Sequence, residues 1–243
     1  MKQSQAKKRD NAMTNKILMG LIALVLGLLF LEILIVHSKN EQQKNASNQI
    51  QTARIMANGD LLYHDGLYMS ALQADGSYDF TENFTYVKPW LKQADLVLGD
   101  FEGTINPDYP LSGYPLFNAP QSVTAAIKDA GYDVMDLAHN HILDSGLEGA
   151  FTTADAFKEV GIDPVGVYEK PVRDKAPLLI KNVNGIKVAI LSYAYGYNGL
   201  ESNLTDKEVT DHLSNLDEKR MKAEIQRAEK EADITVIMPQ MGV

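Results

Sequence analysis

The first strong pattern in the chain is an apolar run over residues 17–36, ILMGLIALVLGLLFLEILIV, in which Glu32 is the one charged residue. Twenty such residues in a helix match a hydrocarbon core of about 30 Å. A Glu near the outer end can reach the interface, so it costs less there than at mid-membrane. The run predicts a transmembrane signal anchor. A cleaved signal peptide is the alternative, but its apolar core is usually about 7–15 residues long and no clear A-x-A site follows here.

Polar segments flank this run on both sides. Residues 1–16 carry five basic side chains against Asp10 and therefore form a basic segment. By the positive-inside rule, this segment is predicted to lie in the cytoplasm and the remainder of the chain outside the cell membrane, as a single-pass protein. Residues 37–52 are rich in Asn, Gln and Ser and lack apolar periodicity, which is typical of a linker.

The globular part is predicted to begin near Ala53 and to comprise residues 53–243. Strand-like apolar runs alternate there with helix-like segments, and the strand-like ones are 53–60, 95–103, 133–141 and 163–167. Repeated β-α-β order predicts an α/β fold with a largely parallel sheet and helices on its faces. Asn184-Gly185 between two apolar runs predicts a type I′ hairpin. An amphipathic helix over 217–233 and a final strand from Ile234 follow.

Polar side chains end three of the predicted strands in the same way. Asp60 follows the first strand, Glu102 the second, and Asn140 with His141 the third. Parallel strands bring their carboxyl ends to one edge of a sheet, so these four side chains could converge. Carboxylate, amide and imidazole ligands suit Mn²⁺, Fe, Zn²⁺ or Mg²⁺. The alternative is that the two acids cap helices or loops, as acids after a strand usually do.

Composition and charge narrow the classes of function. The net charge is −9, and because residues 1–16 contribute +4, the rest of the chain carries −13. Such an acidic body argues against nucleic acid as a partner. The chain has no Cys, which excludes disulfides, thiolate metal sites and a Cys nucleophile.

The order of motifs resembles the capsule synthesis protein CapA family, also called the poly-γ-glutamate synthesis PgsA type. The matching segments are Gly59-Asp60, ADLVLGDFEG (94–103), AHNHILDSG (138–146) and a strand ending in MGV. The family is similar in fold to calcineurin-like metallophosphoesterases, so the resemblance implies a metallophosphatase-like layered α/β domain. Carried over, it implies metal or catalytic positions at Asp60, Glu102, Asn140 and His141, with Asp144 as support.

The sequence departs from the family pattern at two places. Asp100 and Phe101 stand where the family often has Asn and Leu, which leaves Glu102 in place. Gln240 stands where the His of an H-W-G motif is expected, and a neutral amide is a weaker ligand than an imidazole. Family members also continue beyond this point, so the domain is expected to be truncated. His64 remains a further metal-ligand candidate, with an exposed loop histidine as the alternative.

These patterns lead to two expectations of function. The first is a membrane-anchored capsule synthesis protein whose metal ion (Mn, Fe or Zn), held by Asp60, Glu102 and Asn140, assists hydrolysis or transfer while His141 donates a proton. Its partners would be the membrane, an anionic capsular polymer such as poly-γ-glutamate, and other membrane subunits of a synthesis complex. The second is a non-catalytic assembly partner in such a complex, favoured by Gln240.

Overall fold

The computed structural model describes residues 19, 24, 27–39 and 50–242 of the chain. Two compact units are present, Met1–Ile50 and Gln51–Val243. In the first, residues 27–39 form a helix (α1) whose side chains are exposed. Among the described residues, no helix is both long and apolar enough to cross a membrane. The predicted cytoplasmic segment 1–16 lies outside the described residues, as do parts of the predicted anchor and linker.

Four short parallel strands form the first sheet of the second unit. Their order in the sheet is their order along the chain, and they are β1 (Ile55–Ala57), β2 (Leu96–Asp100), β3 (Val134–Asp136) and β4 (Asp163–Val165). Each pair is parallel and in register, with Leu98 opposite Val134 as one example. This is the parallel sheet that the alternation of apolar runs predicts.

Helices connect the strands of this sheet and follow them. They are α2 (Asp65–Ala71), α3 (Lys88–Leu91), α4 (Ser122–Ala130), α5 (Gly146–Glu159), α6 (Asp206–His212) and α7 (Glu218–Glu231). Three short 3₁₀ turns lie at Thr81–Phe84, Arg173–Lys175 and Leu200–Asn203. The predicted helix over 217–233 is α7, which begins after Asp217, whose carboxylate accepts a hydrogen bond from the Arg220 N–H and so satisfies one free amide of the first turn.

The Asn-Gly hairpin belongs to a second sheet rather than to the parallel one. It joins β5 (Leu179–Val183) to β6 (Ile186–Ala194), and the final strand β7 (Ile234–Gln240) pairs parallel to β6. Asn184 and Gly185 both have positive φ (54° and 90°), as a type I′ turn requires. The predictions of a hairpin and of a parallel sheet are therefore confirmed, and the second sheet is a feature that the sequence pattern did not indicate.

The alternation of side chains along β2 shows why two sheets form. Leu96 and Leu98 pack into an apolar layer with Val188 and Ile190 of β6, whereas Val97 points into a core with Ile127 of α4. Both faces of the first sheet are thus buried, one by the second sheet and one by helices. Full burial of each such aliphatic side chain stabilises the fold by about 1.5–3 kcal/mol.

Candidate metal centre and proton donor

The carboxyl ends of β1 and β2 hold three acidic side chains close together. The backbone pairing continues past the strands, since the Leu61 N–H donates to the Asp100 carbonyl (2.7 Å) and the Glu102 N–H to the Leu61 carbonyl (3.2 Å). As a result, carboxylate oxygens of Asp60, Asp100 and Glu102 all lie within 4.8 Å of one another. The two acids expected from the sequence therefore share one site, and Asp100 joins them.

Burial makes this group of acids electrostatically costly without a cation. Desolvation, followed by the charges of Asp136, Asp60 and Glu102, raises the pKa of Asp100 to about 9. Desolvation and then the charge of Asp60 also raise the pKa of Glu102. Asp100 Oδ1 is buried and accepts no hydrogen bond among the described residues, although buried polar atoms are nearly always paired. A hard divalent cation fits this donor set because it supplies the missing positive charge.

A fourth carboxylate, Asp136 at the end of β3, lies behind this group. It accepts hydrogen bonds from the Ala138 N–H (2.8 Å) and from the Ser192 hydroxyl of β6. Burial raises its pKa to about 7, although both hydrogen bonds act against that rise. Asp136 therefore joins the two sheets directly beneath the acidic site.

His141 and Asp144 form a pair beside the acids. His141 Nδ1 lies 2.7 Å from Asp144 Oδ2, which also accepts a hydrogen bond from the Phe117 N–H (2.6 Å). His141 Nε2 faces the acids, 3.9 Å from Glu102 Oε1. Burial acts to lower the pKa of His141, but the hydrogen bond and charge of Asp144 and the charge of Glu102 outweigh it and raise that pKa. The ring can therefore hold a proton at Nε2, aimed at the site.

The neighbouring His139 is a structural residue. Its ring is fully buried, and its Nδ1 accepts the His141 N–H (3.2 Å). Desolvation and then the nearby His141 lower its pKa to about 3, so the imidazole is neutral. It fixes the backbone from which His141 projects.

Asn140 and Gln240 lie next to each other and bond to one another. Gln240 Nε2 donates to Asn140 Oδ1 (3.3 Å), while Asn140 Nδ2 donates to Asn198 Oδ1 (3.2 Å). Because the Asn140 oxygen already accepts a hydrogen bond, it is a weaker candidate ligand than the three acids. β7 places Gln240 here through its parallel pairing with β6.

His64 is exposed and precedes the first turn of α2. Its ring contacts Phe117 edge-on at a centroid distance of 4.8 Å, and His141 contacts the same ring at the same distance. His64 is absent from the group of acids within 4.8 Å that the described residues form.

Sequence reasoning missed two residues of the site, Asp100 and Asp136. The sequence does contain a signal for Asp100. It lies two residues before Glu102, and side chains two positions apart in a strand point to the same face of the sheet. Asp100 belongs to the same predicted strand segment, 95–103, but only Glu102 is predicted as a ligand. Asp136 had no comparable signal, since it sits among apolar residues of β3 as any strand residue would.

Comparison with known proteins supports a family relationship. Residues 54–243 match the family described as bacterial capsule synthesis protein PGA_cap. Over 115 residues the chain is 36% identical to capsule biosynthesis protein CapA of Bacillus anthracis, covering 45% of this chain and 28% of that protein. Over 238 residues it is 25% identical to PGA biosynthesis protein CapA of Bacillus subtilis (strain 168), covering 97% and 60%. The chain thus spans less than two thirds of the length of either relative.

A solved structure shows the same type of fold. It is a crystal structure described as "Putative 5'-Nucleotidase from Staphylococcus aureus in complex with alpha-ketoglutarate", with a TM-score of 0.51 and 14% sequence identity. The similarity covers 79% of this chain and 38% of that one. The mixed α/β fold with a parallel sheet is therefore similar to nucleotidase-type structures.

Proposed function

This chain belongs to the bacterial capsule synthesis PGA_cap family, and we propose on that basis that it acts at the cell surface in making or releasing an anionic capsular polymer. Poly-γ-glutamate is the proposed polymer, and metal-assisted hydrolysis or transfer is the proposed chemistry. Residues 17–36 would anchor the globular part to the outer side of the cell membrane, beside other membrane subunits of a synthesis complex.

The single observation that carries the chemistry is the group of Asp60, Asp100 and Glu102. Their ligand atoms lie within 4.8 Å of one another, and one buried oxygen of Asp100 accepts no hydrogen bond from any residue that the structure describes. These three residues would hold a divalent cation (Mn, Fe or Zn). When bound, such a cation polarises a substrate carbonyl or phosphoryl group and favours attack by water at neutral pH.

The protein's own residues provide the proton transfer. Asp144 is held by the Phe117 N–H and in turn orients the His141 ring through Nδ1. This leaves Nε2, on the side of Glu102, as the atom that donates a proton to the leaving group. Asp136 and Ser192 keep the strand ends in place from behind.

Metal content and turnover of the purified full chain test this proposal. We expect bound Mn, Fe or Zn near one equivalent, lost in Asp60→Ala/Glu102→Ala, and cleavage of poly-γ-glutamate lost with it. His141→Gln should keep the metal and lower kcat by about 10²–10⁴-fold, the usual contribution of a general acid. Asp155→Asn, on the exposed face of α5, is the control and should change neither. A folded parent without metal or turnover would reject the proposal.

The second candidate function is a non-catalytic assembly partner. The observation that favours it is the hydrogen bond that Gln240 donates to Asn140. Two of the expected metal ligands are therefore bonded to each other. Under this function, capsule assembly in cells would survive Asp60→Ala and His141→Ala. Loss of capsule with either substitution, at normal protein level, would exclude it.

A further inference from the structure

A cavity of about 490 Å³ opens beside the His141–Asp144 pair, between the start of α2 and the loop that precedes α4. Its walls are mostly apolar and aromatic, and they include Tyr109, Leu111, Tyr114 and Leu116. Asp144 lines one side and Asp65 another. No Lys, Arg or His is among its lining residues, so the charged side chains of the lining are both acidic.

The exposed aromatic side chains are held on a rigid loop. Asn118 Nδ2 donates to the carbonyls of Asn106, Tyr109 and Pro110, and Ser112 pairs with Asn118 through both backbone bonds. Tyr114 is nevertheless 78% exposed and Tyr109 52%. Ordering these side chains against a ligand would therefore cost little backbone entropy, which is the property of a preformed binding surface.

Both carboxylates of the cavity can accept further hydrogen bonds. Asp65 is exposed, and it has no ion pair or side-chain hydrogen bond within the part of the chain that the structure describes. Its Oδ1 lies over Gly113, where a Cβ would approach to 2.6 Å. The Asp144 side chain is 1% exposed, and its Oδ1 accepts no hydrogen bond among the described residues. A cation suits such a cavity, because a carboxylate oxygen without a donor attracts positive charge and aromatic rings attract it as well.

We propose that this cavity is a subsite for a protonated primary amine of the substrate, held by Asp65 and the aromatic side chains of Tyr109 and Tyr114. This subsite rests on the proposed function, and it determines which part of a γ-glutamyl chain is recognised. Internal residues of such a chain carry free carboxylates and have their nitrogen in an amide. The one ammonium group is at the amino-terminal end, and free carboxylates would be repelled by Asp65.

The subsite would therefore place the amino-terminal end of the chain beside His141. Cleavage there breaks the C–N bond of a γ-amide near that end. Water gives its hydroxyl to the carbonyl carbon, and a proton goes to the departing nitrogen. The shortened chain then ends in a new ammonium group, which the same cavity can bind. The enzyme would act from the end of the polymer rather than at internal bonds.

Binding of two matched probes to the full chain tests the subsite without turnover. The probes are γ-glutamylglutamate and its Nα-acetyl form, titrated calorimetrically at pH 7 with EDTA present, because Asp65 is outside the metal group. We expect the free amine to bind at least tenfold more tightly. The preference should fall to about one in Asp65→Asn and weaken in Tyr114→Leu, while Asp155→Asn keeps it.

Equal affinity for the two probes, a preference that survives Asp65→Asn, or no measurable binding of the free amine would overturn the inference. A separate assay distinguishes this failure from failure of the proposed function. If the metal-loaded chain cleaves polymer with acetylated ends as fast as free polymer, the hydrolase stands and the subsite is rejected. If the probe preference is present but no polymer is cleaved, the subsite stands and the proposed reaction is rejected.

Discussion

At the scale of single residues, the most unusual group is a buried carboxylate that no basic side chain of the described residues neutralises. Asp100 is 8% exposed, and three other acids surround it. Its pKa of about 9 means that the metal-free fold holds a proton that an unfolded chain would release above pH 4. A group of this kind destabilises the fold at neutral pH, and strongly shifted pKa values cluster at functional sites.

The substitution Asp100→Asn should therefore have opposite effects with and without metal. Because the folded-state pKa lies above the unfolded value, the contribution of Asp100 to stability is greatest in acid and is lost as the pH rises between about 4 and 9. Asn removes this loss, so the metal-free variant at pH 8 should be more stable by at least about 1 kcal/mol, or about 2–4 °C in Tm. Mn²⁺ should then raise the Tm of the parent but not of the variant.

Thermal melts from pH 5 to pH 9, with EDTA or with Mn²⁺, measure both effects. Asp155→Asn serves as the control, because its carboxylate is exposed and pairs with Lys158 on the same helix. A variant that loses stability in EDTA, or that keeps the full Mn²⁺ response, would show that Asp100 is a structural acid and not part of a cation site.

The sequence predicts part of this residue-scale picture. Asp60 and Glu102 follow apolar runs directly, so their convergence could be inferred from the parallel order of the strands. The position of Asp100 beside a second buried acid, Asp136, could not be inferred in the same way, because Asp136 bonds to Ser192 of the other sheet. That contact joins positions 56 residues apart, and no local pattern in the chain indicates it.

At the scale of elements, the apolar strands were predictable but their partners were not. All five residues of β2 are buried, as a continuous apolar run indicates. Burial on both faces is equally consistent with helices on both sides or with a second sheet on one side. The second sheet packs on the first because β6 presents Val188 and Ile190 to Leu96 and Leu98, and these residues are brought together only when the chain has folded.

The loop that carries His141 depends on close backbone packing at the end of β4. Gly166 has φ +103°, and a Cβ there would lie 2.7 Å from the Ala138 nitrogen and Cβ. Gly166→Ala should therefore displace residues 138–141 and lower both stability and turnover. Gly161→Ala is a matched control, because its φ is also positive (+76°) but nothing lies within 4 Å of the new Cβ.

We expect Gly161→Ala to cost about 1 kcal/mol of backbone strain and Gly166→Ala about 1–3 kcal/mol more from overpacking. Urea unfolding of both variants measures the difference, and kcat on the polymer should fall only in Gly166→Ala. Equal losses in the two variants would mean that the loop adjusts freely and does not position His141.

At the scale of the whole molecule, the sign of the net charge sets how an anionic polymer approaches. Residues 17–243 carry −13, so their long-range field repels a polycarboxylate. A protein that attracts its ligand by charge binds it more slowly as salt is added, and the opposite dependence is expected here. Added salt screens this repulsion, with a Debye length of about 10 Å at 0.1 M. We therefore expect kcat/KM for poly-γ-glutamate to rise as ionic strength increases from about 0.01 M to 0.15 M.

A charge variant separates this effect from a general effect of salt on the protein. Glu218→Gln/Glu229→Gln on the exposed face of α7 lowers the negative charge by two without touching the acidic site. Its kcat/KM should exceed that of the parent at low salt and converge with it near 0.15 M, and kcat at saturating polymer should be equal throughout. If kcat/KM of the parent instead falls with added salt, the repulsion is not the dominant effect. Basic side chains near the site would then attract the polymer, although the net charge of the protein is negative.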